Sequence, residues 1–353
     1  MLHRWTGGLI GIALALIGLS GAALVWEDEW IALPHAAAPP VLAPAALARV
    51  TQSALVQGEV TRITFAGEEI GLHQAVYGDG GGAYFGPQAQ EVASWGSQWD
   101  RPELWLFDFH HHLFMGETGE TITGILGIVG VLFVLTGTIL WWRTRKTFKL
   151  RAWPARMTRP AIVRHHRDLG IVAAPLLLVS MTTGLLMLFE PFAQAVLAPW
   201  GSLETADAPD LPAAGPVSPE TNWQAIYAAA QARFPAAAPR RLQLPRKPGD
   251  PVVLRMQQPF EWTPNGRTYL RFDAASARLL AVDDPARATT AKSVQEKLYP
   301  VHSAKVGGWP WKLAITFSGL ALGLLGSLSV WSFWFRRNRK RPAVAIPEVP
   351  AAA

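Results

Sequence analysis

Arg164-His165-His166-Arg167-Asp168-Leu169-Gly170 runs without a break into a long apolar segment of the sequence. The N-terminus repeats this arrangement, with His3-Arg4-Trp5-Thr6-Gly7 leading into a second apolar segment. Both stretches read His-Arg-x-x-Gly. In both, a hydroxyl–glycine pair follows 17 and 18 residues after the histidine, Ser20-Gly21 after His3 and Thr183-Gly184 after His166. The repeat predicts two membrane spans that each carry a histidine at one end.

The composition is typical of a membrane protein. Half of the 353 residues are hydrophobic and 16% are charged, whereas soluble domains carry about 25% charged residues. Four segments reach the roughly 20 residues that a helix needs to cross a bilayer: about 1–25, 121–142, 170–190 and 313–335. The first is longer than the apolar part of a signal peptide, and we expect it to be retained as a helix. The sequence therefore predicts an all-α membrane core, a four-helix transmembrane bundle.

Lysine and arginine are distributed unevenly around these spans. The link 143–169 carries nine basic residues and one acid, Asp168, and five basic residues follow the last span in the tail 336–353. Because basic residues beside spans stay on the cytoplasmic side, we expect this link, the tail and both termini in the cytoplasm. Segments 26–120 and 191–312 then lie outside. The net charge of +6 reports this orientation, and we expect no nucleic acid as a partner.

The two outer segments share an order of elements. In the first, an amphipathic pattern at 44–55 predicts a helix, and alternating patterns at 60–65 and 72–77 predict strands. In the second, 220–234 reads as a helix, followed by strands near 241–244, 251–257, 268–273 and 278–282. We expect two related α+β modules, of which the first is short.

Most of the nine histidines stand near the starts of the spans. His3 and the pair His165-His166 belong to the cytoplasmic side, and the run 110–112 and His302 belong to the outer side. Because the helices alternate in direction, each membrane face receives two histidine sites. In a four-helix bundle, two inward-facing imidazoles on opposite helices can hold one planar cofactor between them.

Haem suits such a pair better than a bare metal ion. Imidazole is an axial ligand of haem iron, whereas zinc or copper sites need three or four converging ligands. The chain has no cysteine, which excludes iron–sulfur clusters and covalent c-type haem. Glycines in the spans leave room for a macrocycle or for close helix packing.

Simpler interpretations stay open for each residue. A single interfacial histidine is usually only an amphipathic residue at the headgroup level, and His110-His111-His112 is also compatible with a loose surface metal site. Arg4, Arg164 and Arg167 are suited to pair with haem propionates, but they also follow from the orientation rule. The joint pattern, with a histidine at every span start, favours haem.

Further motifs stand in a fixed order along the chain. After His3-Arg4-x-x-Gly7 come His110-x-x-Leu113-x-x-Gly116-x-x-Gly119, Thr136-Gly137 with Trp141-Trp142, His166-Arg167-x-x-Gly170, Thr183-Gly184-Leu185, and His302 before the last span. This ordered set resembles the PepSY-associated transmembrane family, whose members include ferric-siderophore reductases of the bacterial inner membrane. The resemblance covers nearly the whole chain and implies four helices with periplasmic PepSY-like modules.

The resemblance also implies two b-type haems, each with two histidine ligands. His3 and His166 would bind the inner haem, and His110 and His302 the outer one. Electrons would pass from the cytoplasmic side to a ferric siderophore outside and release its iron as Fe(II). Arg240, Arg241, Arg246, Lys247 and Arg267 form a weak basic cluster that would attract an anionic chelate.

The sequence departs from the family pattern in two ways. Counting back from Trp141 and Trp331 places His112, rather than His110, level with His302, so His112 stays a rival ligand. Some relatives also carry a fused flavin reductase domain after the fourth span; we expect none here, and we expect an external flavin or quinol donor. The alternative function is a PepSY-type binding or regulatory protein without redox activity. A transporter is disfavoured because no span carries an internal charge.

Overall fold

An apolar segment crosses lipid only as a helix or a closed barrel, since every backbone polar group must be paired internally. The computed structural model describes residues 2–203 and 211–334. Four of its helices are long and apolar enough to cross a membrane, and we call these the spans. They are α1 (Leu2–Leu24), α5 (Gly116–Trp142), α6 (Arg159–Leu188) and α10 (Gly308–Trp334). The basic tail 336–353, predicted to be cytoplasmic, and Phe335 lie outside the described residues.

The remaining elements lie in the two segments predicted to be outside the membrane. The short helices are α2 (Glu27–Trp30), α3 (Pro44–Gln57), α4 (Pro102–His112), α7 (Glu190–Leu197), α8 (Trp223–Arg233) and α9 (Thr290–His302). The strands are β1 (Val60–Thr64), β2 (His73–Tyr77), β3 (Gly82–Phe85), β4 (Glu91–Trp95), β5 (Ala238–Gln243), β6 (Val252–Gln257), β7 (Thr268–Phe272) and β8 (Leu279–Asp283).

The bundle is held by a glycine seam between α1 and α10. A Cβ atom at Gly18 would lie 2.8 Å from the carbonyl oxygen of Gly319, and one at Gly11 would lie 2.9 Å from that of Gly326. Only glycine permits backbones to approach this closely, as in other helix pairs in membranes. α6 packs between α5 and α10, which closes a four-helix arrangement.

The spans begin earlier than hydropathy predicts. α6 begins at Arg159, with Pro160 in its first turn, so His166 lies inside the helix rather than before it. His3 lies inside α1, as the predicted span 1–25 implies. The histidines at the other end differ, because His110 belongs to α4 and His302 ends α9, two short helices that precede α5 and α10. Hydropathy marks only the lipid-embedded part of a helix, and polar residues extend these helices beyond it.

The two outer segments form one antiparallel sheet of eight strands, in the order β4-β3-β2-β1-β5-β6-β7-β8. Each half has one helix followed by four strands, which agrees with the predicted order. The first half is not short, because β3 and β4 complete it. No strand was predicted at β3, which begins at Gly82, because this short segment shows no clear alternation. Pairing of β1 with β5 joins the two halves.

The two faces of the sheet differ in chemistry. α3 and α8 cover one face and bury an apolar core that includes Leu47, Ile63, Trp223, Tyr227 and Leu242. The other face turns towards the bundle and encloses a cleft of about 590 Å³ against α2 and α9. Lys305, after α9, forms ion pairs with Asp28 of α2 and with Glu69 of the β1–β2 loop, which ties the sheet to the bundle. We call this end of the bundle the sheet face, and the end that carries the link 143–158 the basic face.

Candidate cofactor sites

The basic face of the bundle brings two predicted histidines together. His3 of α1 and His166 of α6 have ring centres 6.2 Å apart, with their planes at 86°. Both line an apolar cavity of about 490 Å³ between the spans. Two residues separated by most of the first half of the chain therefore face each other at one end of the membrane core.

The sheet face contains a second pair with nearly the same separation. The ring centres of His110 and His302 are 6.3 Å apart, with their planes at 49°. Both line a cavity of about 350 Å³. Burial, with His302 nearby, lowers the pKa of His110 to about 3, and burial lowers the pKa of His302 as well. Both imidazoles are therefore neutral, which is the form that binds a metal.

The two ring separations suit a single metal ion between the rings. Imidazole nitrogens bind zinc, for example, at about 2.0–2.1 Å. Two such bonds on opposite sides of one ion put the nitrogens about 4 Å apart and the ring centres about 6 Å apart. The measured 6.2 Å and 6.3 Å agree with this value.

Each of the four imidazoles is positioned by a hydroxyl group of another helix. Nδ1 of His110 lies 2.9 Å from Ser20 Oγ, and Nδ1 of His302 lies 3.0 Å from Thr183 Oγ1. On the basic face, Nδ1 of His3 lies 2.9 Å from Thr136 Oγ1. Nδ1 of His166 lies 3.2 Å from Ser329 Oγ. With Nδ1 engaged, Nε2 is the ring atom left to bind a metal.

The hydrogen-bond network assigns the Nδ1 proton in three of these contacts. The hydroxyls of Ser20, Thr136 and Thr183 donate to carbonyl oxygens of their own helices, at 2.9, 2.6 and 2.7 Å. Each hydroxyl oxygen therefore accepts from the Nδ1–H of its histidine. Nδ1 of His302 also donates to the Ser180 carbonyl at 2.9 Å. Such second partners fix the tautomer and orientation of a metal-binding imidazole.

Glycines beside these hydroxyls make room for the rings. A Cβ atom at Gly21 would lie 2.8 Å from Cε1 of His110, and one at Gly184 would lie 3.1 Å from Cε1 of His302. Gly137, after Thr136, has the same relation to His3 at 3.7 Å. The repeated hydroxyl–glycine pairs therefore position histidines of other elements: the hydroxyl group accepts a hydrogen bond from the ring, and the glycine leaves space for it. We call each of the four hydroxyl groups that contact a histidine a hydroxyl seat. Ser329 lacks a following glycine, and sequence reasoning missed its role.

A second group of glycines faces the cavities. A Cβ atom at Gly170 would have no neighbour within 4 Å, and one at Gly7 would have only Phe133, at 3.9 Å. Gly127 is similar at the sheet face, with its nearest neighbour at 3.9 Å. All three line the cavities. Protein packing does not require glycine at these positions, but a flat group held between the histidines would.

The neighbouring histidines make other contacts. Nδ1 of His112 lies 3.0 Å from Asp108 Oδ1, and His112 lines neither histidine cavity. The structure therefore pairs His110 with His302, and the register counted from the tryptophans, which favoured His112, does not match the geometry. His111 lines the cavity at the sheet face and stacks on Phe107 with ring centres 4.1 Å apart. His165 is buried, and its Nε2 donates to the Ala152 carbonyl at 3.0 Å.

Two of the three arginines predicted at the basic face, Arg4 and Arg167, differ in their partners. Arg167 donates to the buried Asp168 at 2.7 Å and to Thr147 Oγ1 at 2.7 Å, so it anchors the link 143–158. Arg151 also pairs with Asp168. Arg4 is exposed, lines the cavity, and has no hydrogen-bond partner among the residues that the structure describes. Of the two, Arg4 is the one free to meet an anionic group there.

Residues 2–203 and 211–334 contain no group of three or more histidine, aspartate or glutamate side chains suited to a bare metal ion. The run 110–112 therefore does not converge on one point. The predicted basic cluster is also divided: Arg240 and Arg241 line the cleft, whereas Arg246 and Lys247 are exposed on the β5–β6 turn.

Comparison with known proteins agrees with this architecture. The sequence model of the PepSY-associated TM region matches residues 1–337, so it includes all four spans, the sheet and both histidine pairs. No curated protein matches the chain. Because the match extends over nearly the whole length, the chain belongs to the PepSY-associated transmembrane family.

Proposed function

We propose that this protein is a haem-containing oxidoreductase of the bacterial inner membrane that passes electrons from the cytoplasm to a ferric siderophore in the periplasm. One observation carries the proposal: each end of the bundle holds a pair of facing imidazoles, 6.2 Å apart at one end and 6.3 Å at the other, with Nε2 free. Two imidazoles fill both axial positions of haem iron. Such a centre has no open position for oxygen and suits electron transfer.

The two sites have the features that b-type haem needs. A b-type haem supplies reversible one-electron oxidation and reduction when bound. His3 and His166 would hold one such group, and His110 and His302 the other. The seats on Thr136, Ser329, Ser20 and Thr183 orient the four rings. The apolar cavity walls exclude water, and Arg4 at the basic face is free to neutralise a propionate.

The distribution of charge supports the direction of transfer. The nine basic residues of 143–169 favour the cytoplasm for the basic face. The sheet, whose halves would be the PepSY-like modules, then stands in the periplasm. A flavin or quinol donor would deliver electrons at the basic face. Each ferric ion outside would gain one electron and leave its oxygen ligands as Fe(II), because hard oxygen donors hold Fe(III) more tightly.

Electron transfer across reconstituted vesicles tests this function. The full chain is loaded with haem and placed in liposomes that enclose a reductant, and ferric citrate is added outside with a chromogenic Fe(II) chelator. We expect Fe(II) to form at a rate that His3→Ala and His302→Ala both abolish. A haem-loaded, correctly oriented protein that forms no Fe(II) would refute the proposal and favour the binding or regulatory alternative.

A further inference from the structure

The sheet face that looks at the bundle carries a row of polar residues, beside an apolar cluster of Leu72, Tyr84 and Trp95 at its β2–β4 side. Directly paired residues on seven of the eight strands form one row on this face. Along the row stand Tyr84, Gln74, Thr64, Arg241, Arg255, Tyr269 and Asp283. A sheet face that packed against the bundle as a core would carry apolar residues instead. The part of this row that carries Gln74, Thr64 and Arg241 therefore borders a cleft that admits water or a polar ligand.

Arg241 at the centre of this row has no acidic partner. Its Nε atom is buried and makes no hydrogen bond, and no carboxylate in the described residues forms an ion pair with it. Its register partner is Arg255, and Arg62 stands nearby on β1. Burial and these two arginines lower the pKa of Arg241 to about 9. A buried guanidinium surrounded by its own charge type is costly unless an anion joins it.

Three of the five acids that line the cleft have other partners, and the remaining two, Glu27 and Glu68, form no ion pair with Arg241. Asp28 and Glu69 both pair with Lys305. Glu261 accepts from the Thr268 hydroxyl at 2.6 Å and from the Gln258 backbone N–H at 3.1 Å. No acid in the described residues forms an ion pair with Arg241, so its guanidinium stands as an unpaired positive charge in the sheet wall of the cleft. Guanidinium groups bind carboxylate pairs through parallel hydrogen bonds.

The cleft adjoins the histidine cavity at the sheet face. Glu27, Tyr299 and Lys305 line both spaces. Tyr299 stands one helical turn before His302 on α9. The cleft volume of about 590 Å³ falls within the roughly 300–1,000 Å³ of small-molecule sites. Trp262, which is exposed, stands at its rim.

We propose that this cleft binds the electron acceptor and that the acceptor is an anionic, carboxylate-bearing ferric chelate held by Arg241. The proposal rests on the proposed function, since it takes a ferric chelate as the acceptor. The bound ferric ion gains one electron, which the donor at the basic face loses, and the resulting Fe(II) leaves the chelate, whose oxygens hold it less tightly than Fe(III). Tyr299 and Lys305 then form the thin wall between acceptor and the histidine pair.

Binding of gallium(III) citrate tests the assignment, because gallium(III) has the charge and ligand preference of iron(III) but is not reduced here. The dissociation constant is measured by isothermal titration with the haem-loaded full chain in detergent. We expect Arg241→Gln to weaken binding at least 10-fold and Arg241→Lys to weaken it less. Arg246→Gln, on the exposed β5–β6 turn, is the matched control and should bind as the wild type does.

Three results would overturn the proposal. They are equal affinity in Arg241→Gln and the wild type, equal affinity of the wild type for metal-free citrate, and tighter binding of the cationic gallium(III) desferrioxamine B. Removing an unpaired buried charge should not lower the melting temperature, so a binding loss that accompanies lower stability in both Arg241 variants would also count against it. Absorption spectra of the same samples distinguish failure of the two proposals. Missing haem bands would refute the proposed redox function, whereas the measured affinities would still test whether the cleft binds an anionic chelate.

Discussion

The two histidine pairs reach nearly the same ring separation from different local structures. At the basic face, His3 and His166 lie within spans, so their positions are fixed by the packing of α1 and α6. At the sheet face, His110 and His302 lie on α4 and α9, which breaks in the backbone separate from the spans. Leu113, after α4, adopts a left-handed conformation with φ of 50°. The two ends of the bundle therefore share the facing histidine pair and its hydroxyl seats. They do not share the kind of helix that carries the histidines.

A second difference lies in what borders each cavity. The cavity at the basic face opens towards Arg4 and the basic link, whereas the cavity at the sheet face adjoins the polar cleft through Tyr299 and Lys305. The first suits an encounter with a donor, and the second suits transfer to a bound acceptor. Under the proposed function, the two sites would thus differ in role because their surroundings differ.

Removing one histidine should have the largest effect, because it should abolish one haem site and leave the other intact. We expect His166→Ala to lose the haem of the basic face and His302→Ala to lose that of the sheet face, each leaving the other centre in place. Reduced-minus-oxidised spectra should show about half the wild-type signal in each variant. His165→Ala and His112→Ala are matched neighbours and should keep the full signal. Loss of both centres in either single variant would break the proposed independence of the two pairs.

Filling a cavity tests whether a flat group occupies it. Gly170→Phe should exclude the haem of the basic face, and Gly127→Phe that of the sheet face. A Cβ atom meets nothing within 4 Å at Gly170 and only ordinary contacts from 3.9 Å at Gly127. The bundle should still fold because no protein atom is displaced near the added Cβ. Haem content and melting temperature are measured together. Gly18→Phe, in the α1–α10 seam, should instead destabilise the protein, and full haem content in Gly170→Phe would contradict the assignment.

The hydroxyl seats should contribute less, and unequally. Loss of a second partner typically weakens metal binding about 10–100-fold, and we expect this range for Thr183→Val and Ser20→Ala. Ser329→Ala should have a smaller effect, because its contact with His166 is longer, at 3.2 Å, and no glycine accompanies it. Haem titration of the apoprotein measures these affinities. Equal effects of all three substitutions would show that seat geometry does not distinguish the two faces.

The smallest expected effect concerns the pH dependence of anion binding. Burial raises the pKa of Glu27 to about 7, with Asp28, Glu103 and Glu69 adding to the rise and Lys305 opposing it. Glu27 is therefore neutral below that pH and negative above it, so affinity for gallium(III) citrate should fall as the pH rises through 7. Glu27→Gln should remove this dependence. Glu29→Gln, a neighbour that pairs with Lys312 outside the cleft, should retain it.

The sequence predicts the membrane core more completely than it predicts the sheet. Apolar length is a strong signal, which explains why all four spans were predicted, and the equal spacing of Ser20 and Thr183 from His3 and His166 marked the repeat. Helix starts such as Arg159 were not predicted, because polar residues beyond the lipid continue a helix without any change of hydropathy. The pairing of β1 with β5 depends on contacts between strands nearly 180 residues apart, which local patterns do not encode.

Local sequence patterns also could not decide which histidine of the run 110–112 meets His302. Counting along the chain favoured His112, because it assumed one continuous helix from the histidine to Trp141. The break at Leu113–Gly116 rotates α4 relative to α5, and His110 is the residue that meets His302. The seats could have been recognised from the three hydroxyl–glycine pairs. Their partners lie on other helices and become visible only when the bundle is assembled.

Haem stoichiometry of the purified full chain tests the central claim most directly. The protein is expressed with haem supplied, purified in detergent, and measured by the pyridine haemochrome spectrum against amino-acid analysis. Two b-type haems per chain would agree with one group between His3 and His166 and another between His110 and His302. A chain that folds, shows the expected helix content and binds no haem would contradict the account.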